Sequence, residues 1–244
     1  MTSSEIVIAI VGLALAGLVK GAAGVGYSTT ALPIVALGIG LDHAMPIVLL
    51  PSISSNLSVM LTAGEFRQTL VRFRLLYAAL VPGLLAGLYV LSMVTAKDAA
   101  RVLGFVILVY AIYALSRPAL QIPGERQRWL NVPVGFFNGL INGITGSQIM
   151  PIVPYALSLE LSPDGSVQLM NIAFTISSAI MLAGLHRIGF LDGTTFALSA
   201  AGVVPGLIGV AAGTRLRRRI RPETFRKVVL LLLCAMALLL ITNR

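Results

Sequence analysis

Five stretches of this chain run for about twenty residues without a charged side chain: Gly21–Leu41, Ala44–Gly64, Leu75–Ala96, Gly165–Leu185 and Gly193–Thr214. A helix rising 1.5 Å per residue needs about that length to cross a hydrocarbon core roughly 30 Å thick. Only 11% of the 244 residues are charged and 57% are hydrophobic, whereas soluble domains carry about 25% charged residues. The expectation is an all-α integral membrane protein without a separate soluble domain. The opening "MTSSEIVIAI" carries Glu5 and no basic flank, so it reads as a first membrane segment and not as a cleaved signal. The single cysteine, Cys234, excludes an internal disulfide and reads as an inert thiol in a leucine-rich helix.

The chain also repeats itself. "GLVKGAAGVGYSTTALPIV" (17–35) aligns without a gap on "GFFNGLINGITGSQIMPIV" (135–153), Asp42 falls on Glu160, and "VPGL" recurs at 81–84 and 204–207. Two halves follow, 1–118 and 129–244, joined by a linker at 119–128 in the polar stretch "RPALQIPGERQR". Five segments are expected in the first half, at about 5–20, 27–41, 43–63, 75–95 and 99–116. Five more are expected in the second, at about 130–143, 147–159, 163–185, 192–213 and 225–242. Basic residues gather in three connections: Arg67, Arg72 and Arg74; Arg117, Arg126 and Arg128; and a cluster from Arg215 to Lys227. The positive-inside rule puts all three in the cytoplasm and both termini outside. The net charge of +9 then reports topology and not a nucleic-acid partner. Loop 64–74 becomes cytoplasmic and its counterpart near 186–192 external, so the halves run in opposite directions. Inverted repeats of this kind recur in transporters, which bind substrate near the midplane at interrupted helices.

The first two segments of each half read as a broken or re-entrant hairpin, interrupted by glycines in the first half and by "NGLINGITG" in the second. Irregular backbone at membrane depth is tolerated only inside protein or beside a wet cavity. The other reading is two ordinary helices packed through small residues.

"GAAGVGYSTTALPIVALGIGLDHA", its echo "GFFNGLINGITGSQIMPIVPY", and the pair "VPGLLAG" and "VPGLIGVAAG" together resemble the sulfite exporter TauE/SafE family over nearly the whole chain. Tyr27 stands where that family more often has a small residue. The resemblance implies a multi-pass transporter of the bacterial inner membrane, carrying a small sulfur-containing anion such as sulfite or an organosulfonate, in several members outward.

An anion would give the lone lysine of the first repeat, Lys20, something to face; Asn138 occupies the matching place in the second. Helix N-termini past the breaks offer free N–H groups and a favourable dipole. Ser28, Thr29 and Thr30 would add hydroxyls at the first break, and Thr145, Ser147 and Gln148 polar groups at the second. Asn138 and Asn142 would present amides, while Gly24, Gly26 and further glycines at 21, 139, 143 and 146 would let backbone approach the ligand. Each has a plainer reading: hydroxyls cap helices, asparagines bond neighbouring helices, and Lys20 could snorkel to an interface. Asp42 and Glu160 read as helix caps at the membrane edge, with proton relay as the rival. No metal-ligand spacing, cofactor motif or nucleophile–base pair appears. A metal-cation carrier or channel and an integral-membrane enzyme are therefore the weaker alternatives. The leucine-rich stretch 228–241 gives the expectation of a homodimer.

Overall fold

The computed structural model describes residues 2–116, 121–217 and 222–242. Arg117, Arg218, Arg219 and Arg221, and the expected boundary at 118–119, lie outside the described residues. Among those described there are eleven helices and no strand: α1 (Ser3–Ala23), α2 (Tyr27–Ile39), α3 (Leu41–Ala63), α4 (Phe66–Arg72), α5 (Arg74–Leu91), α6 (Ala96–Ser116), α7 (Gly124–Thr145), α8 (Ile152–Ser158), α9 (Pro163–Arg187), α10 (Gly193–Leu216) and α11 (Pro222–Thr242). Seven of them, α1, α3, α5, α6, α9, α10 and α11, are long and apolar enough to cross a membrane. The chain is a multi-pass membrane protein. Ten of the helices match the ten expected segments, and α4 is an addition within the 64–74 connection.

The ends of these helices follow from local chemistry. Thr2 and Glu5 form a reciprocal capping box that starts α1 at Ser3. Gly24, at φ 81°, closes α1 by donating its N–H to the Lys20 carbonyl at 2.7 Å; only glycine adopts that left-handed geometry without cost. α1 thus has 21 residues, about 31 Å at 1.5 Å per residue. It is a full-length span, longer than the short first arm expected, because the cap extends it at one end and Lys20 lies inside it at the other. α2 (13 residues) and α8 (7 residues) are the short arms. Asp192 caps α10, and hydrogen bonds from the Thr195 backbone N–H and hydroxyl hold its carboxyl below the usual range. Neither expected carboxylate cap is one. Gly40 occupies the cap of α3, with Asp42 in its first turn beside His43. Ser162 caps α9, two residues beyond Glu160.

Glycine decides how the helices meet. A Cβ on Gly17 or Gly21 would strike the backbone of α10, and one on Gly209 or Gly213 the backbone of α1. The second pair repeats the pattern: Gly135 and Gly139 of α7 lie on the α5 carbonyls of Leu76 and Leu80, while Gly83 and Gly87 of α5 lie on those of Phe136 and Leu140. In both pairs residue numbers rise together along the contact, so the partners are parallel. α3 packs on α9 and α10, and α6 on α11. Each half therefore lends its first helix to the penultimate helix of the other.

Interrupted helices are repaired by neighbours. Pro51 lacks the N–H that would bond the carbonyl of Ile47 four residues back. The Ser199 hydroxyl of α10 donates to that carbonyl instead, at 2.9 Å, and accepts the Leu50 N–H at 3.1 Å. Several connections gather at one end of the bundle. There Ser162 donates to Glu65 at 2.9 Å, Arg72 to Gln127 at 2.8 Å, and the Ile122 N–H to the Ser158 carbonyl at 3.0 Å. The linker 121–124 and Arg215–Arg217 belong to this end, which is the basic end of the molecule.

Replacing Gly139 with leucine forces a side chain into the α5 backbone. Overpacking costs about 1–3 kcal/mol or more, so the thermal midpoint in detergent should fall. Gly193→Ala, where a Cβ meets nothing within 4 Å, should leave it unchanged; equal midpoints for the two variants would refute the close seam.

Candidate functional site

Two non-helical breaks, one per half, enter the bundle. The first, Gly24–Gly26, lies between α1 and α2 and has two left-handed glycines, Gly24 and Gly26. The second, from Gly146 to Pro151, lies between α7 and α8 and includes a cis Met150–Pro151 peptide. Without water in the hydrocarbon core, these backbones need partners inside the protein. Asn138, fully buried, supplies two: its Nδ2 donates to the carbonyls of Gln148 (3.0 Å) and Met150 (2.9 Å). Thr145 donates to the Ile141 carbonyl at 2.7 Å and accepts the Ser147 N–H at 3.1 Å. Gln148 reaches α9, where its Nε2 donates to the Ser178 hydroxyl (2.7 Å) and the Phe174 carbonyl (3.2 Å). At the first break Ser28 and Ser52 share a hydrogen bond of 2.9 Å.

The breaks meet. Gly26 of the first with Tyr27, Ser28 and Thr29 at the start of α2, and Gln148 and Ile149 of the second, line one small cavity of about 10 Å³ with Asn56 and Phe174. Gly26, Thr29 and Ile149 also line the inner end of a much larger cavity, about 460 Å³, which extends to Arg217 and Arg226 at the basic end. Thr30 lines it too, with a buried hydroxyl that has no partner. Gly26 offers no side-chain cap to α2, so the first N–H groups of that helix have no intrahelical or capping partner.

Lys20 lies within this region but lines neither cavity. It is 1% exposed, and its ammonium donates to Asn56 Oδ1 of α3 and, at 3.1 Å, to Asn171 Oδ1 of α9. Both partners are neutral, and among the described residues the ion pairs are Asp42–His43 and Asp98–Arg101, on exposed side chains. The Lys20 nitrogen is hydrogen-bonded to groups that carry no counter-charge. Asn56 is the link: its oxygen holds the ammonium, while the same amide lines the small cavity.

The sequence-selected residues divide accordingly. Gly26, Ser28, Thr29 and Gln148 come together at the small cavity, with Thr30 beside them on the larger one. Asn138 and Thr145 support the second break from behind it. Asn142 and Ser147 are fully buried, with both amide atoms of the first and the hydroxyl of the second unpartnered. Gly24 turns the chain at the end of α1 and has open space around it. Of the further glycines, Gly21, Gly139 and Gly143 press on neighbouring helix backbones, and Gly146 faces Leu32 and Met45. Their missing side chains serve packing. Asn56, Ser52, Asn171 and Ser178 were not selected. A signal for part of this set was present: "SISS" at 52–55 on α3 is echoed by "TISS" at 175–178 on α9.

A helical membrane protein whose core holds two interrupted hairpins around buried polar groups, with a cavity leading in from one end, belongs to the transporter class. The family model for the sulfite exporter TauE/SafE matches residues 8–240, and the chain belongs to that family. No curated protein and no solved structure shows a match to it.

Asn138→Leu keeps roughly the side-chain volume but strips two buried carbonyls of their donor, at about 1–3 kcal/mol for each group left unsatisfied. Unfolding in detergent should show a clear loss of stability. Thr30→Val, which removes a hydroxyl with no partner, should be neutral by the same measurement; the opposite ranking would discard the assignment of Asn138 as the support of the second break.

Proposed function

We propose that the protein is a secondary transporter that exports a small sulfur-containing anion, sulfite or an organosulfonate, bound where the two breaks meet. One observation carries this reading: backbone and side chains from both interrupted hairpins line a single small cavity at the floor of a larger one. There the uncapped N-terminus of α2 and the hydroxyls of Thr29 and Thr30 provide donors. Asn56, polarised by the ammonium behind it, turns positive potential toward the same place. At about 10 Å³ the inner cavity holds no more than about one water, so the described arrangement is open toward the basic end and closed at the breaks.

The two halves act as inverted repeats. Support comes from the exchange of partners, α1 with α10 and α7 with α5, and from the direction of the chain. Counted from α1, successive crossings bring both termini to the end opposite the basic connections. The positive-inside rule makes the basic end cytoplasmic in the bacterial inner membrane. An inside-negative potential then drives a monoanion outward with about 2.3 kcal/mol per 100 mV, so export needs no coupling ion. The protein is a carrier and not an enzyme; the family supports this, and no cofactor is called for. A homodimer through the exposed α11 face of Leu231, Leu232, Leu238 and Leu239 completes the reading. A monomeric mass in lipid nanodiscs would remove that part of it.

Sidedness is read by an impermeant thiol reagent in a Cys234→Ala background. Gln68→Cys should be protected from outside, while Lys97→Cys and Arg187→Cys are labelled. Labelling of Gln68→Cys and Arg187→Cys from the same side would end the inverted arrangement.

The site is tested by binding of sulfite, thiosulfate, sulfoacetate, taurine and sulfate to purified protein, and by efflux from proteoliposomes. Lys20 lies behind the cavity and acts on it through Asn56. Lys20→Ala should therefore lose anion binding while Arg67→Ala, in the basic connection, retains it. Unchanged binding by Lys20→Ala would remove the lysine from the site, and failure of every anion to bind would overturn the function.

A further inference from the structure

The larger cavity has the wrong walls for an inorganic oxyanion. Between its two polar ends it is lined by hydrocarbon: Val19 and Ala22 of α1, Val153 of α8, Met170 of α9, and Val229 and Leu233 of α11. Its polar groups are confined to Gly26, Thr29 and Thr30 at the floor, Ser166 and the Tyr110 side chain on the walls, and Arg217 and Arg226 at the mouth. Arg226 is fixed there by donating to the Ala114 carbonyl at 2.7 Å. Along α11, Leu233 lies seven residues beyond Arg226, about 10 Å deeper at 1.5 Å per residue. The volume of about 460 Å³ lies within the range of sites that enclose organic ligands, roughly 300–1,000 Å³ with mostly apolar linings and a few placed polar groups. A four-atom oxyanion is the size of a few waters, about 30 Å³ each, and would leave those walls untouched.

We infer that the substrate is an amphiphilic monoanion, an anionic head on an apolar body of several carbons. Its head is held at the floor by the N-terminus of α2 and by Thr29 and Thr30, and its body lies along α1, α9 and α11. Two independent observations place the head there. The N-terminal N–H groups of α2 lack a side-chain cap, and Thr30, 7% exposed, lines the cavity with a hydroxyl that has no partner. Arg217 and Arg226 line the same cavity and attract the anion from the basic end. This inference rests on the proposed function and specifies the substrate class of the same site.

The test is a binding series in lipid nanodiscs: sulfite, then the unbranched alkanesulfonates from methane- to octanesulfonate, on the unmodified protein and on Val229→Trp and Ala22→Leu. Two variants on different helices keep the test usable should one fail to fold. Burial of a methylene strengthens binding about fourfold, so affinity should rise two- to fourfold per carbon until the cavity is filled. Either variant should weaken hexanesulfonate at least tenfold and leave sulfite and methanesulfonate unchanged. The difference between unmodified and variant protein removes the contribution of partitioning into the lipid. If sulfite binds but affinity is flat or falls with chain length, the inference fails while the proposed function stands. If the longer sulfonates gain equally in all three proteins, the cavity is not their site and the inference fails. If no anion of any length binds, the proposed function fails and takes the inference with it. A phospholipid retained by the unmodified protein in native mass spectrometry, and lost from Val229→Trp, would also overturn it by assigning the cavity to the bilayer.

Discussion

Close contact between helix backbones is the constraint from which the rest of this structure follows. Lipid tails are as apolar as leucine, so helices in a membrane gain little from burying hydrocarbon against one another and must associate through tight packing and polar contacts. Here α1 lies on α10, and α7 on α5, at distances that exclude a side chain on the facing positions. These two parallel pairs link the halves crosswise. Around them α3 and α9 form the middle of the bundle, where the buried amides and hydroxyls are concentrated. With the seams fixed, the two breaks are carried to one place and can share a cavity.

The polar interior follows a second rule. Irregular backbone in α3 and at the second break is answered by side chains: Ser199 of α10 for the carbonyl freed by Pro51, and Asn138 of α7 for the break that follows that helix. The first break is treated differently. At the position of Asn138 it has Lys20, which does not brace its own hairpin but reaches across to Asn56 and Asn171. Two neutral oxygens accept from the Lys20 nitrogen and bring no counter-charge with them. That separates the two breaks chemically: Asn138 braces the backbone beside it, while Lys20 ties α1 to α3 and α9.

The apolar runs and the positions of charge made the fold legible, because membrane insertion is governed by those two quantities. The ten segments, their order and the two interruptions could all be read from them. The length of α1 could not, since it depends on a capping box at Thr2 and Glu5 that lies just ahead of the apolar pattern. At the site, Gly26, Ser28, Thr29 and Gln148 were legible because they sit at the breaks. Asn56 and Asn171 were not, because a single amide within a long apolar helix has no local signature; only the fold shows that both face the same lysine. Glycine was read half correctly. Its abundance marked close approach, but whether the approaching group is a ligand or another helix depends on tertiary contacts, and for Gly21, Gly139 and Gly143 it is a helix.

The glycine seams bear on how this chain tolerates genetic change. Any single-base substitution in a glycine codon that changes the amino acid gives a residue with a Cβ, from alanine and serine upward. At Gly17, Gly21, Gly83, Gly87, Gly135, Gly139, Gly209 and Gly213 even that one carbon meets main chain, which cannot swing aside as a side chain can. Exposed apolar positions away from α11, such as Ile112 or Val204, can exchange among valine, leucine and isoleucine with little consequence. Drift in this protein is thus channelled outward: its lipid-facing surface is free to diverge while its helix seams admit almost no variation.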